Sequence, residues 1–192
     1  MTLKTISNDN IHDLRLLNER IIPVRYADGF YNDVANVHAE ELGCIAYIGD
    51  ECIGSITCRA EPLDAAQQPP DHQTSVCRVY IMTLGVVEAF RRCRIGSVLL
   101  THLLQCLEKD AAVDHVCLHV QTSNLDALRF YLRNGFFIER TVDGYYAQNP
   151  GVVPPDAHFL RRNLKTWSSG REAVDEYVGG LGASLARAAE SL

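Results

Sequence analysis

The stretch Tyr80–Gly96, YIMTLGVVEAFRRCRIG, runs from an apolar strand through a short turn into a cluster of arginines, a glycine and a helix-forming segment from Ser97 onward. That order suits a pyrophosphate. The first backbone N–H groups of a helix have no intrahelical partner and carry the positive end of its dipole, so phosphate oxygens settle there. Arg91, Arg92 and Arg94 add charge around Cys93 and Ile95, and Gly96 allows close approach to the backbone. Arg94 is out of place here, because a phosphate loop more naturally carries a second glycine at that position. Taken alone, the pattern is shared with ordinary solvated turns between a strand and a helix.

Working outward, Val76–Val87 reads as a strand, apolar almost throughout from Tyr80 and therefore central. After the loop, Ile95, Leu99, Leu103, Cys106 and Leu107 share one face of a helix expected over Ile95–Lys109. His115–Gln121 reads as a short strand, and Asn124 as the cap of a helix through Arg133 that Asn134-Gly135 ends in a left-handed turn. Phe136–Arg140 and Ala157–Arg161 complete the strands downstream.

Upstream, Leu3–Ile6 reads as a strand. Asn8 or Asp9 then caps a helix carrying Ile11, Leu14, Leu17 and Ile21, which Pro23 terminates. Phe30, Val34 and Val37 suggest a second short helix. Gly43–Ile48 and Cys52–Arg59 make a hairpin across Gly49-Asp50-Glu51, which rules out an all-parallel sheet. Glu61–Ser75, with three prolines, reads as a surface loop. The whole predicts one α/β domain with a mixed sheet over 1–165, and a tail over 166–192 that is either frayed or a docking helix.

Composition narrows the function classes. The chain has 192 residues, 47% of them hydrophobic, enough for one sizeable core. With 18 Lys+Arg against 24 Asp+Glu, its formal net charge of -6 argues against a general nucleic-acid binder. The 7 cysteines form no C-x-x-C pair and lie mostly in apolar runs, as at Cys44, Cys52, Cys58 and Cys117. They read as reduced, buried thiols of an intracellular protein, with no metal site. Neither a secretory leader nor a membrane-spanning apolar run is visible, so a cytoplasmic, or also nuclear, location is expected.

Arg91–Ser97, RRCRIGS, resembles the acetyl-CoA loop of the GNAT acetyltransferases, Arg/Gln-x-x-Gly-x-Gly/Ala. The run NLDALRFYLRNGF from Asn124 to Phe136 is similar to the final helix and strand of that superfamily. Together YIMTLG, LHVQTSN, IPVRY, GYY and DAHFL resemble the San-type N-terminal acetyltransferases, which supply the NatE activity, over roughly residues 3–165. The resemblance implies a GNAT fold, with a mixed, mostly antiparallel central sheet flanked by helices. It implies direct transfer from acetyl-CoA to the α-amino group of protein N-termini, commonly with a retained methionine. It also implies partnership with a large N-terminal acetyltransferase complex near the ribosome.

Carried over residue by residue, Tyr80 and His119 match the family's water-linked base pair, and Tyr131 matches a helix tyrosine near the CoA sulfur. Acetyl-CoA would be held by Leu84, Val86, Arg91, Arg92, Cys93, Arg94, Ile95, Gly96, Ser97, Asn124 and Tyr131. Ile22, Pro23, Val24, Tyr26 and Met82 would hold the first substrate side chain, and Tyr145 and Tyr146 would close the groove opposite. The family usually has an aromatic residue where this chain has Ile22.

Residue chemistry is compatible. A free α-amino group has a pKa of about 7.7–8.0, so a modest base suffices. Strand alternation puts Tyr80 on one face with Met82 and Leu84, and His119 on one face with Cys117 and Gln121. Strand tyrosines and histidines are commonly structural, and without the resemblance neither would be chosen as catalytic. Two alternatives stay open: transfer to lysine ε-amino groups, and a weakly active or non-catalytic subunit in which Arg94 obstructs the cofactor.

Overall fold

A computed structural model describes residues 1–36, 42–63, 77–110 and 112–164. Val37, most of the expected loop over Glu61–Ser75 and the whole expected tail over 166–192 lie outside the described residues. The strands are β1 Thr2–Thr5, β2 Gly43–Ile48, β3 Glu51–Pro62, β4 Cys77–Val86, β5 Val113–Gln121, β6 Phe137–Val142 and β7 Ala157–Asn163. The helices are α1 Ile11–Ile21, α2 Asp28–Asn36, α3 Ile95–Leu107 and α4 Leu125–Arg133.

The strands form one sheet in the order β1-β2-β3-β4-β5-β7-β6. Every neighbouring pair is antiparallel except β4 with β5. The expected mixed, mostly antiparallel sheet is therefore present. The β4–β5 pairing stops at Tyr80↔Cys117, although β4 continues to Val86 and β5 to Gln121. Beyond that point each strand keeps its other neighbour, β3 or β7, and the two part. Their parting leaves one backbone edge of each strand free for a ligand.

Apolar side chains cover the sheet from both sides. On one face α3 and α4 bury Leu99, Leu100, Leu103 and Leu128 against Val79, Ile81, Val116 and Leu118. On the other, α1 and α2 bury Leu14, Tyr31 and Val34 against Ile6, Ile45 and Tyr47. α4 ends as its sequence predicts. Gly135 has φ 80, and the N–H groups of Phe136 and Gly135 donate to the carbonyls of Tyr131 and Leu132, closing the last turn.

Several expectations need correction. The first strand covers Thr2–Thr5, and Ile6 is a buried residue beyond it. Asn10, not Asn8 or Asp9, is the N-cap of α1. Its side chain accepts from the Ser7 N–H and donates to the Thr5 carbonyl, fixing the strand-to-helix turn instead of capping the helix. Glu61 and Pro62 belong to β3 and not to the following loop. Cys44, Cys58 and Cys117 are buried but Cys52 is only half-buried, and all seven cysteines are free thiols.

The most consequential correction is the alternation of β4. Thr57 pairs with Thr83 and Cys58 with Ile81, so Met82 is an extra, bulged residue. Tyr80 and Met82 share the α1 face as predicted, and Met82 packs against the α1–α2 cluster. Leu84 has crossed to the α3 face, where it lies within van der Waals reach of a Cβ built on Gly96. Period-two reasoning fails there because one bulge shifts every later side chain to the opposite face.

Candidate active site

The parting of β4 and β5 opens a groove of about 1160 Å³ that extends from His119 to the N-terminus of α3. At its inner end, Tyr80 on β4 and His119 on β5 meet directly, hydroxyl to Nδ1 at 3.0 Å. Adjacent parallel strands hold the two side chains within hydrogen-bond distance. Tyr145 adds a third member, with its hydroxyl 3.1 Å from that of Tyr80 and its ring stacked on His119 at 3.9 Å. The turn bearing Tyr145 is fixed by hydrogen bonds from the Gly144 N–H to the Asp156 carboxylate and from the Tyr146 N–H to the Pro155 carbonyl.

Burial sets the protonation of this chain of groups. Burial pushes the Tyr80 phenol up, and the hydrogen bond with Tyr145 pushes it further. Burial lowers His119 to about 4, with help from the Arg140 and Arg78 charges. Both are neutral at pH 7. In the arrangement that satisfies all three groups, Tyr80 donates to the imidazole nitrogen and accepts from Tyr145. One lone pair of the phenol oxygen then remains for a substrate proton. The Arg59 guanidinium lies 5.1 Å from the Tyr80 ring centroid, a contact that nothing in the sequence announced.

At the outer end the phosphate loop has an unusual backbone. Arg92 and Arg94 have φ of 66 and 63, and Arg94 is the left-handed N-cap of α3. A glycine is natural at such a position, which explains why Arg94 looked discordant. Left-handed geometry of this kind turns successive N–H groups into an anion-binding concavity. Arg94→Gly is expected to stabilise the ligand-free protein by roughly 1 kcal/mol through relief of the left-handed strain, while weakening acetyl-CoA binding several-fold through loss of a guanidinium. Thermal melts and isothermal titration check both halves, and tighter binding by the glycine variant would show that Arg94 obstructs the loop.

Strand geometry also places two backbone donors. The Val87 N–H donates to the Ile53 carbonyl on β3, so Leu84 and Val86, offset by odd steps, direct their N–H groups away from β3 toward the groove. Arg91 Nε donates to the Val86 carbonyl at 3.2 Å, on that same edge.

A model of the acetyltransferase (GNAT) family matches residues 10–136. The chain belongs to the GNAT acetyltransferase family. N-alpha-acetyltransferase 50 of Danio rerio is 40% identical over 164 residues, 85% of this chain and 89% of the relative. The probable N-acetyltransferase san of Drosophila melanogaster is 37% identical over 163 residues, 85% of this chain and 80% of the relative. Among solved structures, Arabidopsis thaliana Naa50 in complex with the bisubstrate analogue CoA-Ac-MVNAL superposes with a TM-score of 0.71 at 36% identity, covering 84% of this chain and 97% of that one. The sheet and flanking helices are thus a GNAT fold, and the chain is an N-alpha-acetyltransferase with acetyl-CoA as donor.

Within this GNAT groove, most of the predicted residues converge. Ile22, Pro23, Val24, Tyr26, Met82 and Tyr146 line one part; Leu84, Val86, Arg91, Arg92, Arg94, Ile95, Gly96, Ser97, Asn124 and Tyr131 line the rest. Tyr80 and Tyr145 are not among the residues that line the groove, but each contacts His119, which does, Tyr80 by its hydrogen bond and Tyr145 by stacking. Cys93 is exposed and does not line the groove. Asn124 also supports the fold, because its side-chain oxygen accepts the Ala127 N–H and caps α4, which leaves its amide N–H groups for a ligand. Gln121, Phe130 and Val152 also line the groove, and no spacing signal in the sequence marked them.

Cys77 begins β4, and burial pushes its thiol up. No group of potential metal ligands occurs among the described residues. No helix among them is long and apolar enough to cross a membrane.

Proposed function

We propose that the hydrogen-bonded chain Tyr145–Tyr80–His119 removes the proton from the attacking α-amine, and that preferred substrates begin with a retained methionine. The carrying observation is the direct 3.0 Å contact between Tyr80 and His119 at the inner end of the groove. Acetyl-CoA supplies the acyl group as a thioester. As the amine nitrogen bonds to the acyl carbon, its proton reaches the Tyr80 oxygen through a bridging water, and Tyr80 passes its own to Nδ1 of His119, which lines the groove. The Leu84 or Val86 N–H steadies the charge developing on the carbonyl oxygen. Tyr131, kept protonated by burial, donates to the departing thiolate. Two neutral groups in relay suffice because about half of the amine is already free base near pH 8.

The methionine preference is supported by the apolar lip Ile22-Pro23-Val24 with Met82, whose unbranched thioether adapts to a flexible side chain. The analogue bound to Arabidopsis Naa50 begins with methionine. The proposal extends to membership of the NatE activity, docked to a larger complex near the ribosome. Solved relatives include a NatC complex and a NatB complex, both sharing the fold. The free thiols fit a reducing cytoplasmic or nuclear setting.

Incubation of the purified chain with acetyl-CoA and a Met-Leu-starting peptide is expected to acetylate the α-amine. A peptide blocked at its N-terminus but carrying lysines is expected to react far more slowly, since the ε-ammonium pKa of about 10.4 leaves little free amine. Acetylation of lysines alone would move the assignment to a lysine acetyltransferase. Absence of both a thermal shift at millimolar acetyl-CoA and any acetylated product would overturn this reading.

A further inference from the structure

The outer groove carries more positive charge than a pyrophosphate needs. In a chain of formal net charge -6, it is lined by Arg91, Arg92, Arg94, Arg129 and Arg133, with Asp126 the one carboxylate among them. The first three belong to the phosphate loop. The other two stand on α4, one turn apart and therefore on a common stripe.

α4 lies directly beside the loop. A Cβ built on Gly96 would sit 3.7 Å from the Phe130 ring, and Arg129 and Arg133 flank Phe130 in sequence on that same helix. Neither arginine is committed to the fold. Arg129 makes a 3.7 Å ion pair with Asp126 in which both side chains are largely exposed, a contact worth little. Arg133 has no hydrogen bond or ion pair among the described residues. Its place in the last turn of α4 suits the helix dipole, but that needs no neighbour at Arg129. Two unengaged guanidiniums beside a phosphate loop point to a second dianionic group on the same ligand. Coenzyme A carries one, the 3′-phosphate of its adenosine, beyond the pyrophosphate and on the opposite side from the thioester.

We propose that Arg129 and Arg133 bind this 3′-phosphate, so that the groove distinguishes coenzyme A from dephospho-coenzyme A. The inference rests on the assignment of acetyl-CoA as donor. Arginine fits because its planar fork can engage two phosphate oxygens at once.

Isothermal titration with coenzyme A and with dephospho-coenzyme A tests it, on the wild type and on the double variants Arg129→Ala/Arg133→Ala and Arg129→Gln/Arg133→Gln. The wild type is expected to bind coenzyme A at least tenfold more tightly than the dephospho form. Both double variants are expected to lose most of that preference while binding dephospho-coenzyme A as the wild type does, with melting temperatures close to wild type. In turnover, KM for acetyl-CoA should rise with kcat little changed. Equal binding of the two ligands by the wild type, or an undiminished preference in folded double variants, would overturn the proposal. Binding of neither ligand by the wild type would remove the donor assignment itself, an outcome distinct from lost discrimination.

Discussion

Tyr80→Phe and His119→Ala are each expected to lower kcat by about 10²-fold or more, with the Kd for coenzyme A within about twofold of wild type. The reason is geometric. Phenylalanine keeps the ring beneath the Arg59 guanidinium but removes the oxygen that joins Tyr145 to His119. Alanine at 119 removes the acceptor and the surface on which Tyr145 stacks. Neither side chain touches the phosphate loop, so cofactor affinity should survive. The double variant should be little worse than either single one, since groups acting as a relay are not additive. Wild-type turnover in both single variants would reject the relay.

The pH dependence follows from the same groups. His119 stays neutral down to about pH 4, so the acidic limb of kcat/KM should follow the substrate amine near pH 8 and not a histidine near 6.5. Stability should move the opposite way from that of a paired histidine. The unfolded chain protonates this imidazole near 6.5 while the folded chain holds it neutral to about 4. The unfolded state therefore binds more protons between those values, and the contribution of His119 to stability is lost as pH falls through that window. Denaturant titrations of wild type and His119→Ala between pH 7 and 4 measure the difference, and a wild-type curve no steeper than the variant would contradict it.

Leu99→Ala is expected to destabilise the fold by about 2–5 kcal/mol, through lost transfer energy and the cavity left behind. Leu99 is fully buried on α3, next to Leu100 and Leu103, against Val79 and Val116. The same helix presents its N-terminus to the groove, so the variant should also lose cofactor-dependent thermal stabilisation as α3 loosens on the sheet. Chemical denaturation gives the first quantity and melts with and without acetyl-CoA the second. A loss under about 1 kcal/mol would mean that the surrounding leucines collapse to fill the space.

The elements that local pattern governs were legible. The 3.6-residue spacing of Ile95, Leu99 and Leu103 announced α3, and Asn134-Gly135 announced the end of α4. What went astray depended on side-chain hydrogen bonds and strand pairings that residue spacing does not reveal. Asn10 replaced the expected cap because its side chain is engaged by Ser7 and Thr5. The bulge at Met82 exists only relative to β3, so nothing within β4 could reveal that Leu84 changes face.

The sequence by itself determined the order of strands and helices, the arginine-rich loop before α3 and the family, because each rests on neighbours along the chain. Only the tertiary structure decided that β4 and β5 part after Tyr80, that Arg94 adopts left-handed geometry, that Tyr145 meets Tyr80 and His119 and that Arg129 and Arg133 stand beside the phosphate loop. Strand splay, a bulge and the meeting of residues 65 positions apart are set by pairing and packing between segments, which residue periodicity does not encode.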